Sequence, residues 1–411
     1  MRIKAPVAIL ALLTALNLLN YMDRLVVSAV LTQIQDALDM HSDRDAGLLA
    51  TVFLVGYFAT SPFFGTLGDR GKRTRLIALG ILIWSVATIA SGLAHDKLQL
   101  FVARAFVGVG EASYATIAPT IIDDLAPPGK KGKWLAVFYA AMPVGAALGY
   151  VVGGSVGSHH GWNAAFFVAG APGLVLALVM LLVDEPARKT TAVRESALAA
   201  TRSLLPFKLY WRSVFGYAAF TFAMGGFAYW APKYLIKTYG LTLDIANGRF
   251  GTITVITGFV GAFVGGWLGD RAAKKDNGGQ SADLNAALGY LRVCAWTTLI
   301  GAPLALLAIV ASTPNGFFAW TFPTEIFLFM SSSPINAVIL RSVPEERRAS
   351  AMAVSIFTIH ILGDMWSPPL IGAVTDATSM PKAMLIIPFA FLVAGLLWVV
   401  RKPPTRAMTT A

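Results

Sequence analysis

Four ionisable residues lie inside long apolar stretches of the chain: Asp23, Arg24, Arg104 and Glu111. A charged side chain at the centre of a membrane helix costs about 2.5–3.5 kcal/mol on insertion scales, so residues of this kind mark ion or substrate pathways. Arg104 and Glu111 are two turns apart on one predicted helix, and the rise of about 10 Å would strain a direct bond between them. Asp23, on an antiparallel helix, reaches a depth between the two. We therefore expect Asp23 and Glu111 to share Arg104.

Sharing one guanidinium between two acids would couple proton binding to helix movement. Burial disfavours an ionised carboxyl group and a nearby guanidinium favours it, so moving Arg104 between partners changes which acid holds a proton. We predict Asp23 and Glu111 as proton-coupling residues, and Arg104 with Arg24 as residues for charge switching or head-group binding. The alternative is a static buried ion network that holds the helix of Asp23 against the helix of Arg104 and Glu111.

The composition is that of an integral membrane protein. Of the 411 residues, 56% are hydrophobic and 13% are charged, whereas ordinary globular domains are about 45–50% apolar. Apolar stretches of about 20 residues, long enough to cross a hydrocarbon core, recur along the whole chain. We predict an all-α membrane fold with twelve spans, at 6–33, 46–67, 75–94, 97–122, 134–157, 163–184, 211–238, 247–269, 287–310, 315–340, 349–375 and 382–400.

The spans fall into two groups of six, separated by the longest internal polar segment. We predict an N-terminal six-helix bundle over 1–184, a cytoplasmic linker over 185–210 and a C-terminal six-helix bundle over 211–411. Lys and Arg residues concentrate on the side of the spans that carries both termini, so the positive-inside rule places both termini in the cytoplasm. The first apolar run is longer than the core of a signal peptide, and we expect it to remain as helix 1.

A short repeat supports two pseudo-symmetric halves. The segment GTLGDR begins at residue 65 and GWLGDR at residue 266, at the ends of spans 2 and 8, as parallel repeats would leave in a sequence. This pattern resembles a motif of the major facilitator superfamily, in which an Asp and basic residues clamp the cytoplasmic ends of neighbouring helices. The basic residues after Arg70 begin one position short of the usual spacing. The resemblance implies a cytoplasmic gate at Gly65, Gly68, Asp69, Arg70, Gly266, Asp270 and Arg271.

A second resemblance is more specific. The segments at 20–24, 104–125 and 138–150 are similar to the spinster family of this superfamily, most closely over residues 17–154. The resemblance implies alternating-access transport of lysophospholipids or sphingoid lipids, with proton dependence and with Asp23, Arg104 and Glu111 as the coupling and head-group site. Long terminal extensions of animal members are absent, so we expect a bacterial relative in the inner membrane, acting as a monomer among membrane lipids.

The second half contributes weaker candidates. Glu325, Asp364 and His360, which lies one turn before Asp364, form a candidate secondary proton site. Lys233, near the end of span 7, is expected to snorkel to the membrane interface. Polar and aromatic side chains on several spans are candidate cavity-lining residues: Asn20, Tyr21, Tyr114, Tyr139, Tyr229, Trp230 and Trp320.

Several other functions are disfavoured. The chain has no Walker-type phosphate loop, its five His residues lack the spacing of a metal site, and Cys294 is its one cysteine. We expect no cofactor, no metal, no nucleic-acid partner and no enzymatic activity, and we interpret the net charge of +11 as membrane topology. The rival to a lipid substrate is another small molecule, such as a hydrophobic drug or an organic anion. A lipid-modifying enzyme and a non-transporting receptor are further alternatives.

Overall fold

The computed structural model describes residues 3–128, 130–188, 197–274 and 282–400, and these residues are mostly helical. Part of the predicted linker and the last eleven residues lie outside this set. The helices in the first part are α1 (Pro6–Ala29), α2 (Leu31–Ala37), α3 (Asp43–Arg70), α4 (Arg73–Gly92), α5 (Lys97–Leu125), α6 (Lys131–Leu181) and α7 (Ala197–Leu204). Those in the second part are α8 (Lys208–Tyr239), α9 (Leu243–Ala273), α10 (Ala282–Ile309), α11 (Pro314–Phe329), α12 (Ser332–Arg341), α13 (Arg348–Ile359), α14 (Ser367–Ala377), α15 (Met380–Met384) and α16 (Ile386–Trp398).

Every predicted span falls on one helix or on two or three consecutive helical segments, which confirms the all-α membrane fold. Nine helical segments among the described residues are long and apolar enough to cross a membrane. One of them, α6, holds two predicted spans, and Gly161 breaks it at φ 82° and ψ 163°. A positive φ of this kind is accessible to glycine because it lacks a Cβ atom. Span 11 is interrupted by a π-helical turn at His360–Asp364.

The chain forms two compact units that differ from the predicted bundles. The first unit contains Met1–Ala192 and Trp230–Val255, and the second contains Val193–Tyr229 and Ile256–Ala411. The predicted bundles are repeats in sequence, whereas these units are defined by packing. As a result, the end of α8 and the start of α9 belong to the first unit.

Close contact between α3 and α5 depends on two glycines. A Cβ atom at Gly56 would lie 2.2 Å from the carbonyl oxygen of Ala105, and one at Gly108 would lie 2.0 Å from the carbonyl oxygen of Phe53. Both distances are far below van der Waals contact and involve backbone atoms that move only with their helices. Since Gly108 lies between Arg104 and Glu111, this contact fixes the depth of both charged residues.

A similar contact holds α1 against the first half of α6. A Cβ atom at Gly145 would lie 2.3 Å from the carbonyl oxygen of Leu18, and one at Gly149 would lie 2.6 Å from that of Met22. Small residues on membrane helices allow such close backbone approach. The result is a fixed position for the α1 turn that carries Asp23.

Arg73, at the start of α4, joins three parts of the first unit. Its guanidinium binds the carboxylate of Asp124 at the end of α5 and that of Glu185 after α6, and it also donates to the carbonyl oxygen of Pro186. Glu185 accepts two further hydrogen bonds from the amide and hydroxyl of Thr74. Nearby, Arg188 donates to the carbonyl oxygens of Gly68, Asp69 and Gly71, at the carboxyl end of α3.

The predicted gate residues lie in the last turns of α3 and α9. Gly65 and Gly68 are buried on α3, whereas Asp69 and Arg70 are exposed. On α9, Asp270 accepts a hydrogen bond from Tyr290 at 2.6 Å, and the Arg271 guanidinium lies 5.6 Å from the Trp267 ring. Gly266 lies one turn earlier on the same helix, where an added Cβ atom would be 3.6 Å from the Ser333 hydroxyl oxygen.

We expect Gly108→Ala to lower the stability of the protein. The new methyl group would force α3 and α5 apart, and overpacking of this kind costs about 1–3 kcal/mol. The matched control is Gly132→Ala, because an added Cβ there meets none of the described atoms within 4 Å. In a helix this control should be neutral or stabilising by about 0.5–1 kcal/mol. Thermal melting of both variants in detergent measures the difference, and equal melting temperatures would contradict the close-contact argument.

Glu185 should contribute stability that is lost in acid. Partial burial alone raises the pKa of Glu185, but hydrogen bonds from Thr74 and Arg73 outweigh burial and hold this pKa below its ordinary value. A lowered pKa means that the contribution is present above the unfolded-state value of 4.5 and disappears as pH falls through the folded-state value.

We therefore expect Glu185→Gln to lower the melting temperature at neutral pH. The difference from wild type should persist down to about pH 5 and shrink below it. The control is Glu346→Gln, since Glu346 is exposed. A difference that stays constant from neutral pH into the acid range would show that ionisation of Glu185 is irrelevant.

Candidate functional site

Helices α1 and α5 bring the four charged residues of the sequence prediction together, and we call Asp23, Arg24, Arg104 and Glu111 the charge cluster. The carboxylate of Asp23 accepts a hydrogen bond from Arg104 at 3.4 Å and one from the hydroxyl of Thr88, on α4, at 2.7 Å. Asp23 is 1% exposed and Arg104 is 3% exposed, so this ion pair lies in the interior of the first unit.

The partner of Glu111 differs from the sequence expectation. Glu111 binds the guanidinium of Arg24 at 2.7 Å, rather than sharing Arg104 with Asp23. Adjacent residues on a helix point about 100° apart, so Asp23 faces Arg104 while Arg24 reaches Glu111. Each helix therefore supplies one acid and one base, and each acid has its own arginine.

Aromatic rings surround the two guanidinium groups. The Arg24 guanidinium lies 5.0 Å from the ring centres of Tyr21 and Phe53 and 5.5 Å from that of Tyr57. The Arg104 guanidinium lies 5.5 Å from the same Phe53 ring. Cation–π contacts of this kind stabilise a cation by about 0.5–2 kcal/mol. The Phe53 ring thus lies close to both cations.

Three buried polar atoms of this region have no hydrogen-bond partner among the described residues: Asn20 Nδ2, Arg104 Nε and Glu111 Oε1. Each such atom costs about 1–3 kcal/mol relative to a satisfied one. The cluster is therefore not hydrogen-bonded to its full capacity. An arrangement with spare donors and acceptors can exchange partners, which a fully bonded network resists.

The candidate cavity-lining residues have different environments. Asn20 is buried beside the cluster, and Tyr114 is buried with its hydroxyl donating to the carbonyl oxygen of Leu13. Tyr139 is 47% exposed. The two aromatic candidates on α8, Tyr229 and Trp230, are buried. Trp320, on α11, is 42% exposed.

The secondary acidic set forms two local arrangements in the second unit. Glu325, on α11, is buried and accepts a hydrogen bond from Thr257 of α9 at 2.7 Å. His360 and Asp364 bind each other at 2.8 Å within the π-helical turn, and Asp364 packs against Gly225 of α8. A π-helical turn inside an α-helix is frequent at functional sites.

Lys233 does not snorkel to the interface as expected from the sequence. The residue is 6% exposed, and its ammonium group binds the carboxylate of Asp43 and the side-chain carbonyl of Gln35. It also lies 5.5 Å from the ring of Trp230. The expectation was wrong because a carboxylate from the start of α3 lies within reach, and a paired ammonium can be buried.

Sequence reasoning missed several residues of these sites. Thr88 and the pair Phe53 and Tyr57 are ordinary members of apolar spans, and their roles depend on which helix faces the cations. The one available signal was the spacing of Phe53 and Tyr57, which places both rings on the same face of a helix. Asp43 and Gln35 flank a short loop, where polar residues are common and uninformative.

The side chains of the charge cluster are of types that carry charge and bind ions. Within the described part of the chain, His, Cys, Asp and Glu side chains form no group of three or more suited to a metal ion. The charge cluster contains two carboxylates, a type of group that can accept a proton, and two guanidinium groups, a type that can bind an anion.

Comparisons with known proteins identify the family of the chain. The sequence profile of the Major Facilitator Superfamily matches residues 13–278, and that of the Organic Anion Transporter Polypeptide (OATP) family matches residues 313–381. The first match covers more than half of the chain and includes the whole charge cluster.

Named relatives are similar over most of the chain. It is 30% identical to the "Probable sphingolipid transporter spinster homolog 1" of Arabidopsis thaliana, over 97% of this chain and 88% of that protein. It is 32% identical to the "Sphingosine-1-phosphate transporter SPNS2" of Danio rerio, over 96% and 84%. It is 34% identical to "Protein spinster" of Drosophila melanogaster over 88% of this chain, but spans only 60% of that protein.

Solved structures show the same fold. A bacterial homolog of the human lysosomal transporter Spinster, in an inward-facing and unoccupied conformation, matches with a TM-score of 0.80 at 20% identity, over 96% of this chain and 94% of that one. A D-xylose-proton symporter matches with a TM-score of 0.73 at 17% identity, over 96% of each chain. The chain belongs to the Major Facilitator Superfamily and, within it, to the spinster family, so it is a membrane transporter rather than an enzyme.

Proposed function

We propose that this chain is a proton-coupled secondary active transporter of amphiphilic lipids, of the lysophospholipid or sphingoid class, that works by alternating access. The observation that carries the proposal is the charge cluster, in which two buried acids are each paired with a separate arginine across α1 and α5. Charged side chains within membrane spans are costly and rare, and they commonly mark an ion or substrate pathway.

The arrangement of the pairs explains how movement changes protonation. Asp23 and Arg24 lie on α1, whereas Arg104 and Glu111 lie on α5, so a shift between the two helices breaks both pairs together. A buried carboxylate without its cation is strongly unfavourable, and uptake of a proton removes the charge. Asp23 and Glu111 therefore act as the proton-coupling residues, and their arginines act as the charge switch.

The same arginines suit the head group of an anionic lipid. A guanidinium binds a phosphate through two parallel hydrogen bonds, which favours Arg over Lys at such sites. Arg24 is the better candidate because its side chain is 20% exposed while that of Arg104 is 3% exposed. The names of the Arabidopsis and Danio relatives, which refer to sphingolipid and sphingosine-1-phosphate transport, support a lipid of this class.

Further parts of the proposal concern organisation and location. The repeats over 1–184 and 211–411 are the two bundles that move during transport, with 185–210 as the cytoplasmic linker between them. The chain acts as a monomer in a bacterial inner membrane, with both termini in the cytoplasm. Glu325, His360 and Asp364 form a secondary proton site, and the predicted gate residues on α3 and α9 act at the cytoplasmic ends of these helices.

An organic anion is the second candidate substrate. The specific observation in its favour is the match of residues 313–381 to the Organic Anion Transporter Polypeptide family, a segment that includes Glu325, His360 and Asp364. Proteoliposome flux measured with labelled lysophospholipids, sphingoid phosphates and small organic anions under the same proton gradient separates the two. Flux of the organic anions alone would overturn the lipid assignment.

We expect Asp23→Asn and Glu111→Gln each to abolish proton-driven lipid flux. An amide keeps the size of the acid but cannot exchange a proton, so flux should fall to the level of protein-free liposomes. Glu346→Gln, on an exposed acid, is the control and should transport normally. Wild-type pH dependence in both cluster variants would remove these acids from the mechanism.

Substitutions at Arg104 should distinguish its contribution to stability from its role in transport. Arg104→Ala leaves Asp23 as an uncompensated buried charge, which costs about 3–5 kcal/mol. The double variant Arg104→Met with Asp23→Asn removes both charges and should recover most of the lost stability without recovering flux. Melting temperature and flux measured on the same preparations test this. A double variant that transports at the wild-type rate would reduce the pair to a structural role.

A further inference from the structure

The Lys233 ion pair lies outside the charge cluster and is equally well buried. Lys233, Asp43 and Gln35 are 6%, 7% and 8% exposed, respectively. The Gln35 amide also donates to Asp43 at 2.9 Å and to the carbonyl oxygen of Met40 at 3.2 Å. These bonds connect the end of α8 to α2, the loop that follows it and the start of α3.

This contact is important because Lys233 belongs to a segment that packs with the first unit, although the segment is far from the rest of that unit in sequence. Residues Trp230–Val255 belong to the first unit, while the chain on both sides of them belongs to the second. This segment, which contains the end of α8 and the start of α9, is therefore held in the first unit by its own contacts. We call it the docked segment.

Some of the other contacts of the docked segment use neutral groups. Asn247 donates to the carbonyl oxygen of Ala29, at the carboxyl end of α1, at 2.9 Å. The Phe250 ring packs edge-on against Tyr150 at 5.2 Å between ring centres. The Lys233 pair adds a buried ion pair to these contacts.

A buried ion pair holds two surfaces together less tightly than its Coulomb attraction suggests. Desolvation of both ions offsets much of the attraction, and apolar residues of similar size often stabilise a contact as well or better. When the pair separates, each ion regains water. An ion pair is therefore suited to a contact that must open and close, and it also specifies which partners meet.

We propose that Lys233, Asp43 and Gln35 form a latch that holds the docked segment in the first unit and opens in each transport cycle. This inference rests on the proposed alternating-access function, because a latch has a role only if the segment leaves during turnover. Opening separates Lys233 from both acceptors and exposes all three side chains to water.

A disulfide between the docked segment and α6 tests whether the segment must leave the first unit during transport. Gly154 of α6 and Asn247 of α9 are suitable positions, since a Cβ atom at Gly154 would lie 2.6 Å from that of Asn247, and a small shift gives disulfide geometry. The pair Gly154→Cys with Asn247→Cys is built in a Cys294→Ser background, which has no other thiol. Oxidation should stop flux, and reduction should restore it.

A neighbouring disulfide is the matched control. A Cβ atom at Gly153 would lie 2.7 Å from that of Ala29, so Gly153→Cys with Ala29→Cys links α6 to α1 and leaves the docked segment free. Oxidation of this control should change flux less than twofold. If the oxidised Gly154–Asn247 variant transports as well as its reduced form, the latch is overturned.

The rate at which the Gly154–Asn247 disulfide forms also tests the latch, and this measurement needs no transported lipid. Lys233→Gln should slow disulfide formation at least about tenfold because the unpaired Asp43 favours the open segment. The exchange Lys233→Asp with Asp43→Lys should restore most of the rate, and Lys237→Gln, on an exposed lysine one turn later, should leave it unchanged. Equal rates in all four proteins would overturn the latch.

Failure of the latch and failure of the proposed function give different results. If the disulfide rate responds to Lys233 and oxidation blocks the flux of organic anions but no lipid flux is found, the latch stands and the lipid assignment falls. If lipid flux is found and continues with the docked segment oxidised, the assignment stands and the latch falls. Should the cysteine variants fail to fold, flux in Lys233→Gln and in the charge exchange decides, since the latch requires loss in the first and recovery in the second.

Discussion

The organisation of this transporter depends on the cost of a charge that is removed from water. Four buried ion pairs join helices among the described residues of the first unit: Asp23 with Arg104, Glu111 with Arg24, Asp43 with Lys233 and Asp124 with Arg73. An unpaired ion at these positions would cost several kcal/mol. Because each pair joins different helices, the pairing requirement also fixes which helices meet.

The ion pairs differ in how completely they are bonded, and this difference separates two roles. The Arg73 guanidinium binds two carboxylates and a backbone carbonyl, and Glu185 receives two further hydrogen bonds from Thr74. Such a network resists rearrangement because every alternative breaks several bonds. In the charge cluster, Arg104 Nε and Glu111 Oε1 have no hydrogen-bond partner among the described residues, so an exchange of partners there would break fewer bonds. We associate the first with holding helix ends and the second with proton coupling.

Glycines set the geometry in which the charges operate. Gly108 brings α5 against α3 between its two charged residues, and Gly145 brings α6 against α1 near Asp23. Since backbone atoms form these contacts, they leave little freedom for a helix to tilt or slide alone. The charged turns are therefore carried by rigid neighbours. Under the proposed alternating-access cycle, movement at the cluster would therefore involve whole helices.

The sequence by itself determined the membrane class, the positions of the spans and the identity of the four cluster residues. Span length follows from membrane thickness, and an ionisable residue within a span is unusual enough to be noticed without a structure. Only the tertiary structure decided the partners: Arg24 rather than Arg104 binds Glu111, Thr88 joins Asp23, and Lys233 is buried against Asp43. A partner depends on how each helix is rotated and on which neighbour it meets. Packing sets both properties, and composition and spacing do not encode either.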